Sequence, residues 1–353
     1  MSSFVFPVLA ADLGQEPEKD SSDSSKVKFY SNPEECREAG LGIQLTDTIK
    51  LSGLIEYEEE YNIQQYANSI NVRESEHPSV TVQLGLFFEL SANINAELII
   101  EAEQAEKNTE KVEEAFIEIK VEDVGLTLGR ISLPFGEYYS HFVTGPLLEF
   151  GEAKGDALVV DYSPFDAMEF GLFASQGNID DIHGGNDIDW GAFLELQSAD
   201  ESIRFGISFF ADLSESDGEL LGQANYYSHR VSAWSSYLLL GYEHYEIFLE
   251  MVLANGGFDE LEAEINQPKA WNIELAYFLS PNIQLSFRFE ASDEIEEEPE
   301  KQRGISVAWS PIQHVPISFD YLHGRFKNNA FYDDSGNELE ERDQLVLQIG
   351  WKF

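Results

Sequence analysis

From Thr46 to the C-terminus, apolar and polar residues alternate with a period of two, the spacing of a β-strand with one buried-type face. Ile49, Leu51, Ile55 and Tyr57 alternate with Lys50, Ser52, Glu56 and Glu58. Val80, Val82, Leu84, Leu86, Phe88 and Leu90 form the next row, and Ile94, Ala96, Leu98 and Ile100 the one after the turn at "SAN". Similar rows recur along the chain, including Trp190 to Leu196, Ile203 to Phe209, Trp271 to Tyr277 and Ile283 to Phe289. The last row, in "DQLVLQIGWKF" (343–353), ends on Trp351 and Phe353. The pattern predicts about sixteen strands, most near the ~9–11 residues that a tilted strand needs to cross a bilayer. The phase of the segment "SHRVSAWSSYLLLG" (228–241) is ambiguous and receives no assignment.

The connections alternate in length. Short ones fall near 91–93, 122–125, 163–167, 198–201, 241–244, 279–282 and 310–316. Long ones fall near 63–78, 105–111, 133–154, 177–187, 213–228, 255–267, 293–300 and 326–341. An even strand count with short turns on one rim and long loops on the other predicts an all-β fold, a transmembrane antiparallel β-barrel. The turns would be periplasmic and the loops extracellular. A soluble sandwich would have shorter strands in two packed sheets and no reason for this alternation. A lumen this wide cannot be filled by side chains, so the apolar face points to lipid and the polar face to water. The barrel spans 47–353, and the final strand closes it against the first, removing both sheet edges.

Charge narrows the partners. The chain has 66 acids against 21 bases, a net charge of −45, which repels nucleic acid. A single cysteine, Cys36, excludes an internal disulfide framework. The start, "MSSFVFPVLAADLG", resembles the end of a secretory signal, although it lacks a positive n-region, and a plain N-terminal tail fits as well. Residues 1–11 are therefore a candidate signal remnant, and 12–46, with "EPEKDSSDSSK", a disordered acidic leader.

With the outward rows fixed, parity places Glu250 and Glu274 among many lumen acids, with Arg204 and Arg288 among few lumen bases. Such an interior concentrates cations. The segment 128–156, "LGRISLPFGEYYSHFVTGPLLEFGEAKGD", is too aromatic for a loop in bulk water. Phe135, Tyr138 and Tyr139 need burial, which folding into the lumen as a constriction supplies; packing as an external cap is the alternative. Arg130 falls in the outward phase of Leu126 and Leu128, so either a bulge at Gly129 turns it inward or it sits above the bilayer. Enzyme motifs are missing: the seven histidines lack metal-site spacing, and Ser140 beside His141 is a faint hint of a nucleophile at most. Acidic stretches at 180–189 and 332–341 carry oxygen ligands of the kind Ca²⁺ takes, but the glycine of the second is misplaced for an EF-hand. No enzyme, cofactor or metal site is assigned.

The segment "LGRISLPFGEYYSHFVTGPLLEFGEAKGDALVVDYSPFD" resembles the LbtU-type siderophore porins through its G-R-x-x-x-P-F-G-x-Y piece and the following "E…GD". Its G-R-x-x-x-P-F-G piece is similar, more loosely, to phosphate-selective-type porins. The resemblance covers roughly 110–353 by strand layout. It implies TonB-independent uptake of a ferric siderophore through a sixteen-stranded barrel without a plug. A polycarboxylate chelate would then need Arg130, Lys154, Arg204 or Arg288 along its path, because the rest of the wall is acidic.

Three functions stand: a channel for a metal chelate, a general cation-preferring diffusion porin, and a loop-mediated adhesin or structural barrel. The expected location is the Gram-negative outer membrane, as an integral protein. Expected partners are outer-membrane lipid, a small-molecule metal chelate or small cations, and the barrel assembly machinery. The last would read Trp351 and Phe353 as a closure signal. A homotrimer is compatible with the layout, which does not decide it.

Overall fold

The computed structural model describes residues 41–353 except 68–69, 76, 105–108, 178–179, 182–187, 217–225, 228, 260, 262–265, 296–297, 313 and 328–335. The expected signal remnant and most of the expected leader lie outside these residues. One part of the leader is corrected: Ile43–Thr46 is a short strand that folds back on Ile49 to Leu51.

Sixteen long strands make the wall. They are β1 (Ile49–Tyr66), β2 (Ser79–Ser91), β3 (Ile94–Gln104), β4 (Thr109–Val121), β5 (Val124–Ser132), β6 (Lys154–Phe165), β7 (Met168–Gln176) and β8 (Ile188–Gln197). They continue as β9 (Ile203–Phe210), β10 (Ala233–Tyr242), β11 (Tyr245–Ala254), β12 (Lys269–Ser280), β13 (Ile283–Asp293), β14 (Lys301–Ile312), β15 (Val315–Arg325) and β16 (Leu339–Lys352). Each pairs antiparallel with the next in sequence, as in β11 with β12 and β13 with β14. β16 then pairs with β1 from Leu54↔Lys352 to Tyr66↔Leu339, so the sheet is a closed sixteen-stranded barrel. A wall closed in this way leaves no row of unpaired backbone groups exposed.

The burial pattern inverts that of a soluble protein. On β12, Trp271, Ile273 and Leu275 are exposed while Asn272, Glu274 and Ala276 are buried. β14 repeats it, with Ile305, Val307 and Trp309 exposed against buried Gln302, Ser306 and Ala308. A period of two cannot put both sets on one face, so the apolar rows line the outer surface and the polar rows the interior. The ambiguous segment resolves the same way: Trp234 is exposed, and Ser235 and Tyr237 are buried.

Two connections differ from expectation. The stretch 63–78 is largely strand, because β1 runs to Tyr66 and pairs with Ile70–Ser75 across Tyr61↔Ser75 to Tyr66↔Ile70. The connection after β3 shrinks to 105–108, since β4 begins at Thr109. In both places polar residues continue a strand above the outer apolar band. Backbone pairing extends a strand there without needing an apolar face.

At the seam, Gly53 and Phe353 exchange both backbone hydrogen bonds, at 2.7 and 3.0 Å. The Phe353 ring lies over Gly53 so closely that a Cβ there would sit 2.4 Å from it, which explains the glycine. Trp351 packs beside that ring with centroids 5.1 Å apart.

Candidate functional site

Residues 133–153, between β5 and β6, hold the interior together. Leu133, Phe135, Tyr138, Phe142, Leu147 and Phe150 are all buried. All of these but Phe142 pack with inward side chains of the wall, including Val159, Phe173, Phe193, Phe210 and Val252. The rings of Phe135 and Phe210 stand 5.6 Å apart, and Tyr139 meets Phe248 edge-on at 5.3 Å. Apolar groups on the inner face of a barrel would be wet without this cover, so burial draws the segment onto that side.

Polar groups fix where it lies. A segment without regular structure carries backbone N–H groups that must find acceptors once buried. Here wall carboxylates supply them. Glu250 of β11 accepts from the amides of Glu137 (2.6 Å) and Tyr138 (2.9 Å). Glu274 of β12 accepts from the His141 amide (2.7 Å) and the Ser140 hydroxyl (2.6 Å). Glu290 of β13 accepts from Leu147 (2.6 Å), in the short helix α1 (Pro146–Glu149), and Asp320 of β15 from Val143 (2.8 Å). Ser208 of β9 accepts from Gly136 at 3.1 Å. The segment thus spans from β9 to β15 along the inner wall.

Arg204, Arg288 and Lys154 are spent on the same contacts. Arg204 donates to Glu137 at 2.8 Å. Arg288, buried, approaches Glu290 at 3.1 Å and Glu274 at 3.6 Å, donates to the Thr144 carbonyl, and lies 4.4 Å above the Phe142 ring. Gly145 passes so close that a Cβ would fall 2.4 Å from the Arg288 guanidinium, and its φ of +155 suits glycine. Lys154 is paired with Glu113 and, at 3.5 Å, with Glu152. Buried charges at this density persist only when paired and hydrogen-bonded.

His141 sits among the same groups. Its Nε2 is 3.0 Å from Glu246 and its Nδ1 2.7 Å from Gln284. Burial works against charge on the ring, but Glu246, supported by Glu274, outweighs it and raises the imidazole above its ordinary value. The Ser140 hydroxyl is committed to Glu274, and the ring to Glu246 and Gln284, so the pair is part of the docking.

The residues expected on a ligand path are placed as follows. Arg130 stays in phase with exposed Leu128 on the outer face, and its Nε donates to the Val112 carbonyl at 3.1 Å. No bulge turns it, because β4 and β5 pair without interruption through Phe116↔Gly129 and Ala115↔Arg130. The bulge in this region lies on β4, where Ile99 faces Glu114 and Ile100 faces Val112. Phe135 and Tyr138 are packed in the apolar cluster. Tyr139, Glu250, Glu274, Lys154, Arg204 and Arg288 all dock the segment or neighbour it. Sequence reasoning missed Glu290, Asp320, Ser208 and His141 as docking groups. The signal was the recurrence of acids at inward positions of consecutive strands, Glu250, Glu274 and Glu290.

Across the interior, β1 to β4 turn a different set inward. Glu56, Glu58 and Glu60 follow one another on β1, facing away from outward Tyr57. Glu97 and Glu101 of β3 and Glu114 and Glu118 of β4 continue the wall. Lys111 is engaged by Glu101 (3.2 Å) and Glu113 (3.0 Å). Among the described residues no group of three or more His, Cys, Asp or Glu side chains has metal-site geometry. Most of the two acidic stretches considered for Ca²⁺ falls outside those residues.

No family model matches the chain, and no curated protein matches it in sequence. The fold is shared with solved outer-membrane barrels. OmpF of Salmonella typhi, in a complex with daunomycin, superposes with a TM-score of 0.64 at 11% identity, covering 87% of this chain and 98% of that one. An anion-selective porin from Comamonas acidovorans gives 0.63 at 10% identity, over 87% and 99%. OprB of Pseudomonas putida gives 0.61 at 10% identity, over 93% and 99%. Similarity at this level establishes a common barrel architecture.

Proposed function

We propose that the chain is an integral outer-membrane channel that passes small cations by diffusion. The observation that carries this reading is the division of charge inside the barrel. Arg204, Arg288 and Lys154 are each bound to carboxylates at or under the segment 133–153, whereas the β1–β4 wall presents Glu56, Glu58, Glu60, Glu97 and Glu101. On that wall the acids outnumber the inward lysines Lys50 and Lys120, so an anion entering would be repelled and a cation drawn in. The segment 133–153 is the constriction, since it occupies the interior along β9 to β15 and confines passage to the acidic side. The solved porins of the same architecture support a channel, and the outward apolar band supports a membrane location.

Uptake of a ferric siderophore, the function implied by the G-R-x-x-x-P-F-G resemblance, is the competing reading. It fits a neutral or cationic chelate better than a polycarboxylate one, because Arg130 faces outward and the other bases are paired. Planar-bilayer recording separates the two. Ohmic current with a cation-selective reversal potential is expected. Saturable block by a ferric siderophore would replace diffusion with specific uptake, and no conductance at all would end both.

A further inference from the structure

Above the apolar band, the outer face of β14 and β15 gathers basic residues. Along β14 the outward residues, read from the short-turn end, are Trp309, Val307, Ile305, Arg303 and Lys301. Along β15 they are Ile317, Phe319, Tyr321, His323 and Arg325. The two strands are in register, with Lys301 opposite Arg325 and Arg303 opposite His323. Four basic side chains thus form a two-by-two block on the outer surface, directly above exposed Ile305 and Tyr321, at the rim of the long connections. Like charges placed directly across a strand pair repel one another.

Three of the four have a protein partner: Lys301 with Glu300 at 3.1 Å, Arg325 with Glu341 at 3.0 Å, and His323 with Asp343 at 2.8 Å. Arg303 does not. Among the described residues no carboxylate pairs with it, although it is exposed and lies beside exposed Phe289 on the neighbouring strand. A guanidinium at the edge of an apolar band reaches the headgroup level, where anions of the surrounding medium lie within its range.

We propose that this block binds the phosphate of an anionic lipid headgroup in the outer leaflet. Arg303 makes the principal contact, and Lys301 and Arg325 flank it at the rim. The planar fork of Arg303 suits two phosphate oxygens at once, while the apolar rows below it take the acyl chains. The inference rests on the membrane location proposed above and adds a ligand to the outer face, away from the interior.

The test compares wild type, R303Q and the triple variant K301Q/R303Q/R325Q, purified in detergent and incubated with diphosphorylated lipid A or its dephosphorylated form. Bound lipid is counted by native mass spectrometry. Retention of the phosphorylated lipid should fall at least about fivefold in R303Q and further in the triple variant, with the dephosphorylated lipid bound weakly by all three. Equal retention across the variants, or equal retention of the two lipids, overturns the proposal. Dissociation of an oligomer in R303Q also overturns it, by assigning the face to a second copy of the chain. Conductance recorded on the same samples separates the failures: a silent wild type ends the channel reading, and unchanged conductance with unchanged lipid binding ends only this one.

Discussion

Glu250 accepts two consecutive backbone amides at the point where the interior segment turns, with Tyr138 at φ 51. Replacing it with alanine strands both N–H groups, at about 1–3 kcal/mol each. In planar-bilayer recordings E250A is expected to give larger and noisier single-channel currents, with E250Q in between; an E250A trace as quiet as that of wild type would show that the segment is held without it. His141 supplies a pH dependence. Its folded pKa is raised, so protonation supports the docked segment below about pH 6.5, and the support is lost as pH rises through the folded value. Thermal stability of the wild type should therefore fall, as pH rises above about 6.5, more steeply than that of H141Q. Parallel slopes would remove His141 from the docking.

The two elements that close the system are the last strand and the interior segment. β16 pairs with β1 across thirteen residue pairs, and Phe353 adds the final exchange of hydrogen bonds with Gly53. Deleting Phe353 should lower the fraction of heat-modifiable, assembled barrel on gel electrophoresis while leaving the conductance of assembled molecules intact. Normal assembly would deny the residue its role in closure. The interior segment shows how far sequence carried and where it stopped. Phe135, Tyr138 and Phe142 announce by their bulk that residues 133–153 require burial. Which strands receive them is a matter of contacts more than a hundred residues apart, such as Glu137 with Glu250, and a period of two contains no record of such pairs.

For the whole molecule, the division of charge predicts selectivity. A salt-gradient reversal potential should show preference for cations, reduced in the variant E56Q/E58Q/E60Q. The preference should also shrink as the screening length falls from about 10 Å at 0.1 M salt to about 3 Å at 1 M. Anion preference in wild type, or no change in the triple variant, would reject the β1–β4 wall as the conducting side.

The strand count, the outward apolar rows and the closure of β16 on β1 follow from the chain alone, because alternation is a local property written at every second residue. Arg130 and Arg288 mark what it leaves open. Both are arginines on long strands, yet one faces outward at the rim and the other is buried beneath Thr144 and Phe142. Parity assigned Arg288 to the interior, but only packing across the lumen decided that its charge would be neutralised there rather than offered to a solute. The acids divide for the same reason: those on β11, β12, β13 and β15 hold the segment, and those on β1 and β3 face the remaining space. Long-range burial distributes these roles, and it exists only once the barrel has closed.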